Sequence, residues 1–305
     1  MIDNATYCSS ISRSNEEQLF GTATQAETWL ILEHPQVFGP SAVQDSNLPE
    51  AVKAHLTSAV KTLPGARVQL IKREDSPYPR MITFFVGVTT GVRPRLYEFQ
   101  LSDYAELLEL DLQKIPANLD GYTNYLRAQP LYLVCTNGKR DPCCAKLGIS
   151  FYTSLSNKEP DATWQTSHVG GHRFAANLVC FPHGLFYGRL GEDDAQKILE
   201  TYPRGELLTE KYRGRSCFPG AAQAAEYFLH VQTGIKAIDA YSLESLKTAG
   251  ENRWEVLFLE TFGYKKHQLV IAGHPSEFEI LQSCRDLERS QVMQFHLETY
   301  QALGS

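Results

Sequence analysis

The stretch Leu131-Tyr132-Leu133-Val134-Cys135-Thr136-Asn137-Gly138-Lys139-Arg140-Asp141-Pro142-Cys143-Cys144 decides how this chain is read. Its opening apolar run suits a short buried strand that ends in Cys135. A polar loop follows, and Cys143-Cys144 begins a helix-like run that reaches Leu155. Further on stands Trp164-Gln165-Thr166-Ser167-His168-Val169-Gly170-Gly171-His172. Cys135 and Cys144 have eight residues between them, and His168 and His172 have three. Two thiols and two imidazoles thus fall close together in sequence, with glycines where a metal needs the backbone nearby.

Outward from that stretch the lobe completes itself. Thr163–Thr166 reads as a short strand. Asn177–Phe181 and Leu185–Arg189 read as a hairpin across Pro182-His183-Gly184, and Asp193–Tyr202 as an amphipathic helix. Strand, helix, strand, hairpin and closing helix is the order of a thioredoxin-like sandwich. The preceding residues repeat it: strand Trp29–Leu32, helix Leu48–Leu63, then strands at Val68–Ile71, Met81–Val88 and Leu96–Leu101. Tyr104–Ile115 reads as a further helix. Residues 1–24 are polar and a poor core former. After Tyr212-Arg213-Gly214-Arg215-Ser216-Cys217 come a helix from Pro219 to Leu229, strands at Trp254–Glu260 and Gln268–Ala272, and a last strand or helix at Gln291–Tyr300. The expected class is α/β. It comprises an N-terminal thioredoxin-like lobe without ligands (1–118), a thioredoxin-like domain with the Cys and His residues (119–205), and an α+β extension (206–305).

With 43% hydrophobic and 21% charged residues over 305 positions, the composition is that of a globular chain with a core. The net charge is -6 and no long Lys/Arg run exists, which argues against a nucleic-acid partner. No apolar stretch is long enough to span a membrane, and Met1-Ile2-Asp3-Asn4 lacks a signal-peptide layout, so the expected location is cytoplasmic. Seven cysteines, an odd count spread over a long chain, do not make a secreted disulfide framework.

Thiolates and imidazoles select zinc, copper or iron–sulfur clusters over calcium or magnesium. Zinc knuckles place their cysteines two to four residues apart, closer than Cys135 and Cys144. A binuclear cluster is wider and suits a longer loop, and each of its irons needs two protein ligands. Cys143 and Cys144 both sit at the expected helix start, where a thiolate is stabilised, so either fits as the second cysteine. Gly170-Gly171 makes a helical His-x-x-x-His unfavourable and permits a bent loop. Arg140 stands near enough in sequence to offset the negative charge of such a centre.

Cys-Thr-Asn-Gly-Lys-Arg-Asp-Pro-Cys-Cys (135–144), Ser-His-Val-Gly-Gly-His-Arg-Phe-Ala-Ala-Asn (167–177), Tyr-Gly-Arg-Leu (187–190) and Tyr-Arg-Gly-Arg-Ser-Cys (212–217) together resemble the sucrase/ferredoxin-like family of thioredoxin-like proteins. Cys8-Ser9 and Phe20-Gly21-Thr22-Ala23 resemble its longer bacterial members. The resemblance implies a 2Fe–2S cluster with bis-histidinyl, non-Rieske ligation, held by Cys135, Cys144, His168 and His172. It also implies an electron-transfer role with a redox partner protein, a carrier more than an enzyme. Proton uptake at a ligand histidine on reduction would follow from the added negative charge. No pair of carboxylates suggests glycoside cleavage.

Two rival functions stand beside it: a thiol–disulfide oxidoreductase on the same scaffold, and a zinc-stabilised binding module. The two-residue Cys-x-x-Cys spacing that suits the first is absent. Taken singly, Cys135 also suits a core thiol, and His168 and His172 suit hydrogen-bonded loop residues. Cys143 reads as a packed thiol, Cys180 as core, His183 as a solvated turn residue, and Cys8 and Cys284 as incidental.

Overall fold

In the computed structural model, which describes residues 7–73, 81–91, 93–117 and 119–304, the chain begins with helix α1 (Cys8–Ser14). The apolar run around Trp29 then forms β1 (Thr28–Glu33), buried along its whole length as a strand covered on both faces must be. Helix α2 (Glu50–Thr62) starts after Pro49 and turns Val52, Leu56 and Ala59 inward. Strands β2 (Ala66–Lys72), β3 (Ile82–Val88) and β4 (Arg95–Leu101) follow. β1 pairs parallel with β2 and antiparallel with β3, and β3 pairs antiparallel with β4.

Beyond the short helix α3 (Lys114–Ala117) the same plan recurs. Strand β5 (Leu131–Cys135) leads into helix α4 (Pro142–Ser156), then come β6 (Thr163–Thr166), the hairpin β7 (Leu178–Phe181) and β8 (Leu185–Tyr187), and helix α5 (Asp194–Thr201). β5 pairs parallel with β6 and antiparallel with β7, and β7 pairs antiparallel with β8. In both lobes the spatial order is therefore second, first, third, fourth strand. The lobes join edge to edge where β2 meets β6, with Ile71 opposite Thr166. Strand β9 (Tyr212–Arg215) adds to β8 and completes a nine-stranded sheet.

Alternation along β1 shows how that sheet curls. Leu30 and Leu32 enter a core with Leu56 of α2, whereas Trp29 and Ile31 enter another with Leu131, Leu133 and Cys135 of β5. The Trp29 ring lies 5.3 Å from that of Phe181, although β1 and β7 are not neighbours in the sheet. The two halves thus fold toward each other over a shared inner core, and Cys135 and Cys144 lie at its edge. Helix α6 (Gly220–Thr233) packs its small residues Ala221, Ala224 and Ala225 on a four-stranded antiparallel meander, β10 (Tyr241–Gly250), β11 (Arg253–Glu260), β12 (Lys266–Pro275) and β13 (Met293–Leu303).

The α/β class and the element order of both lobes agree with the sequence reading. Two expectations need correction. Tyr104–Ile115 is not one helix: a 3-10 turn at Tyr104–Glu109, whose first N–H groups are capped by Asp103, stops at extended Leu110, and α3 starts afresh at Lys114. The N-terminal stretch, read as a poor core former, does place side chains in the core, although its first six residues lie outside those described. Cys8, Ile11 and Ser12 of α1 are buried. Arg189 donates to the carbonyls of Ser12 and Glu17 at 3.1 and 2.7 Å, and Arg173 pairs with buried Glu17 at 2.8 Å. Polar and ionic contacts and a few scattered apolar side chains, such as Ile11 against Ile280 and Val292, hold this segment, so no apolar period marks it.

Candidate metal centre

Cys135 is the last residue of β5, and Cys144 sits in the first turn of α4. Asp141 caps that helix, its carboxylate accepting the Cys143 N–H at 2.9 Å, and Pro142 takes the first helical position, where no N–H is needed. Helix α4 approaches the end of β5 so closely that a Cβ at Gly148 would overlap the Cys135 carbonyl oxygen. This glycine is what lets the two thiols meet. Gly148→Ala is expected to cost about 1–3 kcal/mol of stability through overpacking, and to weaken metal uptake with it. Urea unfolding and metal titration would check this; wild-type values would show that α4 shifts freely.

His168 follows β6. Its Nδ1 lies 4.0 Å from the sulfurs of both Cys135 and Cys144. These three donor atoms lie within 4.8 Å of one another. His172 is not in that group. Its ring stacks on His168, with centroids 4.6 Å apart at 28°, and its Nε2 is 4.0 Å from Asp141 Oδ2. Its Nδ1 is buried without a hydrogen-bond partner. The structure therefore brings Cys135, Cys144 and His168 together and sets His172 behind His168.

Electrostatics favour donor forms. The Cys135 thiol is held well below its ordinary range, first by the hydrogen bond from Cys144 against the opposing effect of burial, and further by His168. Cys144, the donor in that bond and buried as well, is pushed up correspondingly. Burial, then the neighbouring His168, lowers the His172 pKa and keeps that imidazole neutral, the form that binds metals. A surface cavity of about 290 Å³ reaches His168 and Arg140 from outside.

Several residues that hold this geometry were not singled out from the sequence. Arg67 on β2 of the first lobe donates to the His168 carbonyl at 2.8 Å, and Thr24 donates to that of Val169 at 2.8 Å. Arg213, fully buried, donates to the carbonyls of Gly170 (3.2 Å) and Thr22 (2.5 Å) and to Asn177 Oδ1 (2.8 Å). Asn177 in turn donates to the Gly171 carbonyl at 2.9 Å. Gly170 and Gly171 have φ of 99° and 68°, where side chains are strained. Only their sequence position between the histidines signalled this; Arg213 stood inside the quoted 212–217 motif without a role, and Arg67 and Thr24 gave no signal.

Other expected roles are revised. Cys8 and Cys284 are not incidental: their sulfurs lie 3.5 and 3.2 Å from that of Cys143, and 3.5 Å from each other. His183 is not solvated but meets the Tyr202 hydroxyl at 2.8 Å and Asp239 at 3.5 Å. Cys180 is core, as expected, its thiol pushed up by burial. Burial raises the Cys217 thiol to about 11, so it is not an activated nucleophile.

Fold and site define a class: a mixed α/β protein with a buried cluster of thiols and imidazoles at the edge of a curled sheet. Within that class the chain belongs to the sucrase/ferredoxin-like family, whose model matches residues 19–214. Among curated proteins it is similar to the one named "Altered inheritance of mitochondria protein 32" in three yeasts. In Meyerozyma guilliermondii it is 36% identical over 95 residues, covering 28% of this chain and 34% of that protein. In Debaryomyces hansenii it is 27% identical over 205 residues, covering 52% and 75%. In Clavispora lusitaniae it is 30% identical over 95 residues, covering 28% and 35%. The chain thus spans about a third of the first and third relatives' length and three quarters of the second's. No solved structure matches.

These relatives overturn one expectation. The sequence reading gave an electron-transfer protein, possibly proton-coupled; the matching proteins are named for the inheritance of mitochondria, and nothing in those names assigns electron carriage. No helix among the described residues is long and apolar enough to cross a membrane.

Proposed function

We propose that this chain is a metal-holding protein whose centre is carried by Cys135, Cys144, His168 and His172, and that the occupant is a 2Fe–2S cluster. The observation that carries the reading is the convergence of two thiol sulfurs on one imidazole nitrogen at 4.0 Å in a buried setting. The unpartnered Nδ1 of His172 adds a fourth donor, and two donors for each of two irons is the set such a cluster takes. A bound cluster would supply a negatively charged inorganic core. The chain's own residues answer that charge: half-buried Arg67 and fully buried Arg213 already feel the charge of Cys135. The repeated strand order supports a thioredoxin-like fold for each lobe, with boundaries near residues 118 and 205. A second reading, one zinc ion, is favoured by the compactness of the three-donor group that leaves His172 outside.

Metal analysis of the purified protein separates these readings. About two irons and two acid-labile sulfides per chain are expected for the cluster. Zinc without sulfide would replace the cluster by the single ion, and a metal-free Cys135–Cys144 pair would remove the proposal. The relatives' name adds a cellular side, a part in the process they are named for, exerted from the cytosol. A yeast lacking its relative should be rescued by this chain and not by its Cys144→Ser variant.

A further inference from the structure

A second group of metal-type donors lies beside the first and shares none of its residues. Cys8 of α1, Cys143 and Asp141 at the start of α4, and Cys284 in the connection between β12 and β13 offer three sulfurs and a carboxylate oxygen within 4.8 Å of one another. The sulfurs are 3.2 to 3.5 Å apart, and Cys8 Sγ stands 3.9 and 4.0 Å from the two Asp141 oxygens. We infer that Cys8, Cys143, Cys284 and Asp141 form a structural zinc site that clips the N-terminal helix and the β12–β13 connection to the start of α4.

The donor set is the first argument. Three thiolates select zinc over calcium or magnesium, and a carboxylate oxygen is an accepted fourth ligand. Around one zinc with Zn–S of about 2.3 Å, tetrahedral sulfurs stand about 3.8 Å apart, so these need to separate by only a few tenths of an ångström. Four protein donors leave no open position, which marks a structural site and not a catalytic one.

Charge is the second argument. Asp141 is fully buried. It accepts hydrogen bonds from the Cys143 and Cys284 N–H groups and from Ser283 Oγ at 2.8 to 2.9 Å. Among the described residues the one ion-pair partner found for it is His172, at 4.0 Å. Among the described residues no Lys or Arg is its salt-bridge partner. A buried carboxylate facing three thiols is costly without a cation, and a dication supplies one. The sulfurs are also prepared to carry charge: the Cys8 N–H donates to Cys284 Sγ at 3.3 Å. Asp141 caps α4, but helix capping does not call for three thiols around the same carboxylate.

The third argument is chain connectivity. Cys8 and Cys284 are 276 residues apart in sequence. Clips that close long loops restrict the unfolded chain most. Cys284 is the half-exposed member, and Cys8, Cys143 and Asp141 are sealed, so exchange of the ion would be slow.

The full chain, expressed with zinc in the medium, is analysed for zinc and for iron. About one equivalent of zinc that survives dialysis against a mild chelator is expected in addition to whatever the first centre holds. Cys8→Ser and Cys284→Ser should each lose that equivalent. Cys284→His, which restores a donor, should keep it, and Cys180→Ser should leave it unchanged. Cobalt(II) added to the zinc-stripped wild type should give the intense visible bands of a tetrahedral thiolate site, a readout that requires no variant to fold. Cys135→Ser should empty the first centre and spare this zinc, so failure of one assignment is distinguishable from failure of the other. Zinc content unchanged by Cys284→Ser, absence of cobalt bands, or a disulfide among the three cysteines in the freshly purified protein would overturn the site.

Discussion

Cys144→Ser empties the centre at the edge of the curled sheet, with bound metal falling more than about tenfold, a loss at least that of removing a supporting contact, whereas Cys143→Ser leaves it filled. The two residues are neighbours in sequence, and both sit in the first turn of α4. Successive side chains on a helix point about 100° apart, and that rotation divides them. Cys144 Sγ turns toward His168 Nδ1, 4.0 Å away, within the inner core that also holds Cys135. Cys143 Sγ turns the other way, to Cys8 and Cys284 at 3.5 and 3.2 Å. Metal content per chain and the visible spectrum of each variant give the measurement. The reverse pattern would show that the register of the ligand loop is wrong by one residue and that the neighbour faces the ion. Cys143→Ser is not silent elsewhere, since it removes a donor from the second cluster; the two variants should therefore lose different metals.

The Cys and His residues were legible because ligand chemistry is written locally: a strand end, a loop, a capped helix start and a glycine-bent turn all lie within one segment. Asp141-Pro142 before Cys143-Cys144 is a helix start by its own chemistry, and the structure places the cap there. The paired strands of both lobes were legible for a similar reason, since buried strands such as Thr28–Glu33 and Leu131–Cys135 are continuous apolar runs. What stayed hidden depends on contacts between distant segments. Cys8 and Cys284 each look like a stray thiol until the fold brings them beside Cys143. Arg67 belongs to the lobe without ligands, and only the β2–β6 junction carries it to the His168 carbonyl. Residues 104–115 misled because their apolar spacing suits a helix, while Asp103, Leu110 and Pro116 break it into two short turns. The cellular role was the least legible, because a ligand set says what is held and not what the holding is for.

Arg213→Ala should be the most damaging single change outside the ligands, lowering stability by roughly 3 kcal/mol or more, because several buried acceptors lose their donor at once. The Arg213 guanidinium is fully enclosed, and burial lowers its pKa to about 9. It lies over the rings of Phe174 and Phe186 at 4.8 and 5.5 Å. Its removal strands four acceptors, Thr22 O and Oγ1, Gly170 O and Asn177 Oδ1, each costing about 1–3 kcal/mol when left buried and unpaired, and it leaves a cavity beneath Phe174. Two of those acceptors bear on the loop between the histidines, directly at Gly170 and through Asn177 at Gly171. Metal retention should therefore fall along with the urea midpoint. Arg213→Lys keeps a charge but not the planar fork, so it should recover part of the stability and less of the metal binding. Arg204→Ala, at an exposed position, should stay within about 0.5 kcal/mol of wild type. If Arg213→Ala lost stability yet held metal as tightly as the wild type in its folded state, the guanidinium would be a core element only. The bend that presents His168 to the two thiols would then be set by Gly170 and Gly171 alone, and Gly171→Ala, whose Cβ would collide with this same guanidinium, would become the change that empties the centre.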